Sequence, residues 1–288
     1  MSLLEAPAED TPAIEALVAR HRQHTLRIDD STCVSFRVCG EGAPIVLLHG
    51  IGSGSGSWLH QLDLLGGHFR VIAWDAPGYG SSTPLVPAAP QAADYAERLR
   101  EFVDALGLDR FVLVGHSLGA LIAGAFAARH APRLRALMLA SPAGGHARLD
   151  PQERQARLDE RIGQMQRLGP DELARTRSGN LLSAKAPSAA VALVRWNMTR
   201  LDPQGYVQAV HMLAQGDLAS DIGALALPVS VFCGAEDRVT PPAACRRIAD
   251  ACPSASWHLL PDLGHALYVE APQPVSDLIR AFAAQAPD

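Results

Sequence analysis

Phe111-Val112-Leu113-Val114-Gly115-His116-Ser117-Leu118-Gly119 decides the reading of this chain. Four apolar residues in a row predict a strand covered on both faces. The run then spells G-x-S-x-G and passes at once into Ala120 to Arg129, an apolar, alanine-rich stretch that predicts a helix. A serine at a tight strand-to-helix turn projects its hydroxyl above the sheet edge, and flanking glycines let the backbones crowd there. The helix behind it aims its N–H groups and the positive end of its dipole at any anion formed nearby. These are the needs of a serine nucleophile; the plainer alternative is that Ser117 only caps the helix.

Working outward, two or three strands are expected between about 25 and 49, ending in Pro44 to Leu48. Further strands are expected at Arg70 to Trp74, Arg110 to Val114, Leu134 to Leu139, Pro228 to Cys233 and Ser256 to Leu260. Helical segments fall between them at 91 to 106, 118 to 130, 241 to 250 and 272 to 284, and a short leader helix at 12 to 23. Strand and helix alternate, so the fold class is α/β, with a mostly parallel twisted sheet flanked by helices and joined by right-handed crossovers. The alternation stops between 143 and 225. Leu158, Ile162, Met165 and Leu168 keep helical spacing there, and Pro151, Pro170, Pro187 and Pro203 punctuate the stretch into about four helices. The expected organisation is a core in two parts, 1–142 and 226–288, with an inserted helical cap at 143–225.

With the elbow and its two neighbours in place, the chain resembles the α/β-hydrolase family, in its serine esterase and enol-lactonase-like branch. The resemblance covers all but the leader and the cap, and implies the order nucleophile, acid, histidine. A serine hydroxyl needs a histidine to take its proton, and that histidine needs an acceptor to fix its tautomer. Gly234-Ala235-Glu236-Asp237-Arg238-Val239-Thr240-Pro241 resembles the family's acid loop, with its aspartate at Asp237; Glu236 is the runner-up. The place after the preceding strand reads Ala140-Ser141-Pro142 and holds no carboxylate. Leu259 to His265 is a strand and loop ending in a Gly-His pair that resembles the family's, which makes His265 the expected base. His49-Gly50-Ile51-Gly52 resembles the family's His-Gly loop. The resemblance therefore implies an oxyanion hole built from the backbone amides of Ile51 and Leu118, with His49 orienting the loop. Asp75-Ala76-Pro77-Gly78-Tyr79-Gly80-Ser81-Ser82 resembles a structural turn of the family, and Asp75 stands at the wrong place in the order for the acid.

Composition bounds what else the chain can be. Its 288 residues carry a net charge of −5, and Lys185 is its single lysine. Without a basic patch, nucleic acid and anionic membranes are not expected partners. The glycine-serine run Ser53 to Ser57 lacks the lysine and spacing of a phosphate cradle. Cys33, Cys39, Cys233, Cys245 and Cys252 match no metal or redox spacing and are expected to be buried free thiols. The acidic N-terminus does not read as a signal peptide, and no run is long and apolar enough to span a bilayer, so a cytoplasmic protein is expected. No metal and no cofactor are expected. The oligomeric state, monomer or homodimer, is open.

The cap and its return offer Met165, Leu182, Trp196, Met198, Tyr206, Met212 and Leu213, of which a minority should line a pocket and the rest pack the cap itself. Gly50, His116, Arg195, Trp196 and Met198 are the candidate substrate contacts, Arg195 as a holder of a substrate carboxylate. The expected reaction is hydrolysis of a small or medium carboxylic ester or lactone. Two alternatives stand beside it. A carbon–carbon hydrolase of ring-cleavage diketo acids uses the same triad, but those relatives carry Asn before the nucleophile and Trp after the histidine, where this chain has His116 and Ala266. A non-catalytic receptor could also use the fold, against the presence of Ser117, Asp237 and His265 together.

Overall fold

Apolar runs without alternation form strands whose two faces are both covered by helices. The computed structural model describes residues 11–287. Helix α1 (Thr11–Arg20) is followed by β1 (His24–Arg27), β2 (Cys33–Cys39), β3 (Pro44–Leu48), α2 (Leu59–Leu65) and β4 (Arg70–Trp74). Then come α3 (Ala92–Ala105), β5 (Phe111–His116), α4 (Leu118–His130) and β6 (Leu134–Ala140). Four helices separate β6 from the next strand: α5 (Pro151–Arg177), α6 (Ser188–Met198), α7 (Pro203–Gln215) and α8 (Leu218–Ile222). The chain closes with β7 (Val229–Gly234), α9 (Pro242–Asp250), β8 (Ala255–Leu260), α10 (Leu267–Glu270) and α11 (Pro272–Gln285). The leader helix stops three residues short of its expected end.

The strands form one sheet in the order β1-β2-β4-β3-β5-β6-β7-β8. β1 and β2 are antiparallel to their neighbours, and every pairing from β4 to β8 is parallel. β5 is central, with Ile45 to Leu48 of β3 beside Val112 to Gly115 and Ala136 to Ala140 of β6 on the other side. All six of its residues are buried. Behind it, α4 is apolar all round and buries Leu118 to Ala127 without a gap, as a helix enclosed by protein must. In such sheets ligands sit beyond the carboxyl ends of the parallel strands. The loops that leave β3, β5, β7 and β8 all emerge there.

The stretch from β6 to β7 holds helices and no strand among the described residues. Pro151 and Pro203 occupy the first positions of α5 and α7, where the missing N–H costs nothing, and Asp150 and Asp202 cap the same helices from the side chain. α5 is not one straight rod. It breaks at Gly169 (φ 66°, ψ 176°), with Pro170 opening the second half. Arg177 donates to the side chain of Gln164, thirteen positions earlier. In a straight helix those positions lie about 20 Å apart, so the break folds the second half back on the first. Met165 is buried on this helix, Leu158 and Ile162 are partly covered, and Leu168, just before the break, is 38% exposed.

The five cysteines are unbridged; Cys233, Cys245 and Cys252 are buried, while Cys33 and Cys39 are half-buried instead of buried as expected. Among the described residues no helix is long and apolar enough to cross a membrane.

Candidate active site

Ser117 begins where β5 ends. Its backbone sits at φ 52°, a left-handed conformation that costs a non-glycine residue on the order of 1–3 kcal/mol. Backbone hydrogen bonds on both sides hold it there. The Ser117 N–H donates to the Ala140 carbonyl (3.0 Å), and its own carbonyl accepts from Ala143 (3.0 Å) and Ala120 (3.1 Å). The flanking glycines are required by the crossing chains: a Cβ on Gly115 would lie 2.6 Å from the Gly119 carbonyl oxygen, and one on Gly119 2.6 Å from that of Leu48. The Ser117 side chain makes no capping bond to α4. Its Oγ is directed elsewhere, 2.9 Å from His265 Nε2.

His265 follows β8 in a loop held from several sides. Its Nδ1 lies 2.9 Å from Asp237 Oδ2. With Nδ1–H donating to the carboxylate, Nε2 keeps its lone pair for the Ser117 hydroxyl. Asp237 leaves β7 in a tight turn, and its Oδ1 accepts from the amides of Val239 and Thr240 at 2.8 Å each. Burial alone would push this carboxyl up, but the hydrogen bond and charge of His265 and the Thr240 amide overcome it and hold the group at about 2. The three side chains are enclosed, each residue exposing 6% or less. Glu236, the neighbouring carboxylate, is half-buried and accepts from the Ala184 amide at 3.4 Å.

The loop after β3 is strapped in place by His49. Ala76 N–H donates to His49 Nε2 (3.0 Å), so Nδ1 carries the proton and donates to the Gly50 carbonyl (2.8 Å). Burial lowers the pKa of His49, consistent with this neutral ring. The Tyr79 hydroxyl donates to the Ile51 carbonyl (2.9 Å) and fixes the same loop from the outside. Ile51 and Leu118 both line the cavity in front of Ser117, and among the described residues neither amide donates to another group. Asp75 stands apart in a structural role: it accepts from Ser55 N–H, the Ser35 hydroxyl and Gln23 at 2.6 to 2.8 Å.

The cavity itself has a volume of about 420 Å³, in the range of small-molecule sites. Gly50, His116 and Met198 line it, and so do Tyr206 and Leu213. His116 packs its ring 4.8 Å from that of His265 and 4.7 Å from Tyr268, and donates from Nε2 to the His265 carbonyl (3.0 Å). Burial, then the His265 charge, pushes it down to about 3, so it serves as a neutral strut. Arg195 and Trp196 do not line the cavity. Val194, Asn197 and Met198 do, and this i, i+3, i+4 stripe turns the two residues between them away. Trp196 instead supports the Arg200 guanidinium, 4.0 Å over its ring. The charged groups that do face the cavity are Arg161 and Arg177 of α5, which the sequence reading did not single out.

Two more residues join the site without a local sequence signal. Thr240 Oγ1 lies 2.9 Å from Asp237 Oδ2 and 3.1 Å from His265 Nδ1, between the carboxylate and the imidazole. Buried Glu270 accepts from Gly264 N–H (3.0 Å), beside His265, and from Ser183 N–H (3.1 Å), tying the histidine loop to the segment before α6. Ala266 N–H adds a bond to the Leu181 carbonyl (2.8 Å). Among the described residues no group of three or more His, Cys, Asp or Glu side chains is placed to hold a metal ion.

Comparison with known proteins agrees with this architecture. Residues 43–272 match the family described as alpha/beta hydrolase fold. The pimeloyl-[acyl-carrier protein] methyl ester esterase of Chromobacterium violaceum is 31% identical, over 85% of this chain and 94% of its own. The (E)-2-((N-methylformamido)methylene)succinate hydrolase of Acinetobacter baylyi is 25% identical, over 90% of this chain and 97% of its own. Among solved structures, a thermophilic esterase from Thermogutta terrifontis with malate bound superposes with a TM-score of 0.81 at 25% identity, covering 92% of this chain and 99% of that one. With the elbow strand at the centre of the sheet and the match running from before β3 to the start of α11, this chain belongs to the α/β-hydrolase fold family.

Proposed function

We propose that the protein is a serine hydrolase of small or medium carboxylic esters or lactones, working through an acyl-enzyme on Ser117. The observation that carries this reading is the continuous buried chain from Ser117 Oγ to His265 Nε2 and from His265 Nδ1 to Asp237 Oδ2, 2.9 Å at each step. Ser117 Oγ attacks the substrate carbonyl carbon while His265 Nε2 takes its proton, and Asp237, ionised at neutral pH, stabilises the imidazolium. The tetrahedral oxyanion is received by the free amides of Ile51 and Leu118, where one such donor is typically worth ~10²–10³ in rate. His265 then returns the proton to the departing alkoxide. Water, deprotonated by His265, attacks the acyl-enzyme, and collapse of the second intermediate frees the acid and restores the Ser117 hydroxyl.

In this reading residues 143–225 act as a cap that closes a substrate cavity over the two core parts, 1–142 and 226–288. The relative named as a methyl ester esterase supports an ester as the bond cleaved. The test is hydrolysis of a chain-length series of p-nitrophenyl esters by wild type and Ser117→Ala, beside a ring-cleavage diketo acid. Ser117-dependent ester turnover with an inert diketo acid is the expected result. Fast diketo-acid cleavage with feeble ester turnover would replace the proposal with a carbon–carbon hydrolase.

A further inference from the structure

Two cations and no carboxylate face the cavity. Arg161 and Arg177 line it, and no Asp or Glu does, although the chain carries 30 acidic residues against 25 Lys and Arg. Arg161 makes no hydrogen bond or ion pair among the described residues, and its helical neighbours one turn away are Arg157, Leu158, Gln164 and Met165. Arg177 is held by the side chain of Gln164, which is neutral and leaves the guanidinium charge uncompensated. Gln164 lies three residues after Arg161, on the same face of the helix. The break at Gly169 therefore brings both arginines to one face of the cavity from opposite halves of α5. The field of Arg161 is felt locally: burial, then Arg161 and Arg157, outweighs the opposing charge of Glu153 and pushes the lining residue His146 down to about 4.

We propose that Arg161 and Arg177 form a carboxylate-binding subsite, so that the substrate is a half-ester or lactone acid carrying a free carboxylate away from the bond that is cleaved. This inference rests on the proposed ester hydrolysis at Ser117 and deepens it by naming the substrate class. Paired guanidinium donors meet the planar oxygens of a carboxylate with charge-assisted hydrogen bonds, which a neutral chain of equal length cannot replace. The remaining lining near them, Leu173 and Val194 among it, suits the methylenes between the two ends.

The experiment compares monomethyl esters of straight-chain dicarboxylic acids with methyl alkanoates of matching length, read as kcat/KM. At the best length wild type prefers the half-ester by about tenfold or more. Arg161→Gln and Arg177→Gln each lower that ratio by about threefold, the double variant brings it to about one, and Arg246→Gln on α9 leaves it in place. A calorimetric titration of Ser117→Ala protein with the same half-ester reads the discrimination without turnover, and the double variant abolishes it there. A wild-type ratio at or below one, or a ratio that survives the double substitution, overturns the subsite while Ser117-dependent turnover of neutral esters still stands. Loss of both ester classes as substrates overturns the hydrolase reading, and the subsite with it.

Discussion

The floor and the roof of the cavity are built by different means. The floor is main chain: Ser117, the Ile51 loop, Asp237 and His265 each stand a few residues beyond the end of a parallel strand. Sheet register fixes where those ends are. Each turn is then held by backbone bonds, such as Ser117 N–H to Ala140, Ser141 N–H to Phe232, Ala235 N–H to Leu260 and Glu236 N–H to Leu263. The roof is side chain. α5, α6 and α7 present a stripe each to the cavity, and what they present depends on helix rotation and on the break at Gly169. If the proposed reaction holds, a floor of this kind dictates chemistry, and a roof of this kind can be altered without dismantling it.

Substitutions on the two sides should therefore differ in kind. Ser117→Ala is expected to lower kcat by ~10³–10⁶ for every ester, neutral or charged, with the fold intact by circular dichroism. A variant that turns over any ester at near-normal rate removes Ser117 from the floor. Asp237→Asn should cost ~10³–10⁴ in kcat with little change in KM, because the amide favours the wrong tautomer of His265. A large KM effect would mean that Asp237 belongs to binding.

The same residue predicts how stability depends on pH. The Asp237 carboxyl is held at about 2 in the folded chain, against about 3.9 for an unfolded one. A depressed pKa favours the folded state above the unfolded value, and that contribution is lost as pH falls from about 4 to about 2. Wild type should thus lose about 2 kcal/mol more than Asp237→Asn between pH 5 and pH 2, measured by denaturant unfolding. Parallel pH profiles for the two proteins would count against the buried ion pair with His265. The smallest effect belongs to the roof. Gly169→Ala places a side chain at φ 66° in open space, so only backbone strain opposes it, about 1–3 kcal/mol. It should shift the preference among esters while kcat on a short neutral ester stays within a few-fold. An equal loss on all esters would erase the distinction between roof and floor.

The same difference explains what the sequence could disclose. Glycine spacing, apolar runs and the order of motifs are local signals, and they placed the strands, the elbow and the loops that carry Asp237 and His265. Asp237 and Glu236 are adjacent and share every local signal. In the turn, Glu236 N–H donates to the Leu263 carbonyl, and it is the Asp237 side chain that reaches His265. α6 reads Ser188-Ala-Ala-Val-Ala-Leu-Val-Arg-Trp-Asn-Met198, apolar on most sides, so its rotation was not legible and Arg195 stood out only as a charge. Thr240 and Glu270 act through partners distant in sequence, and a threonine before a proline or a glutamate ending a short helix carries no mark of that. Arg161 and Arg177 sit among many other charges on α5, and only the fold at Gly169 turns them toward the same space.

A nucleophilic Ser117 should bond covalently to a fluorophosphonate, read by intact-protein mass spectrometry. One adduct per chain is expected, mapped to the peptide containing Ser117, absent in Ser117→Ala and slowed in Asp237→Asn. An unlabelled wild-type chain, or an adduct that persists in Ser117→Ala, would contradict it.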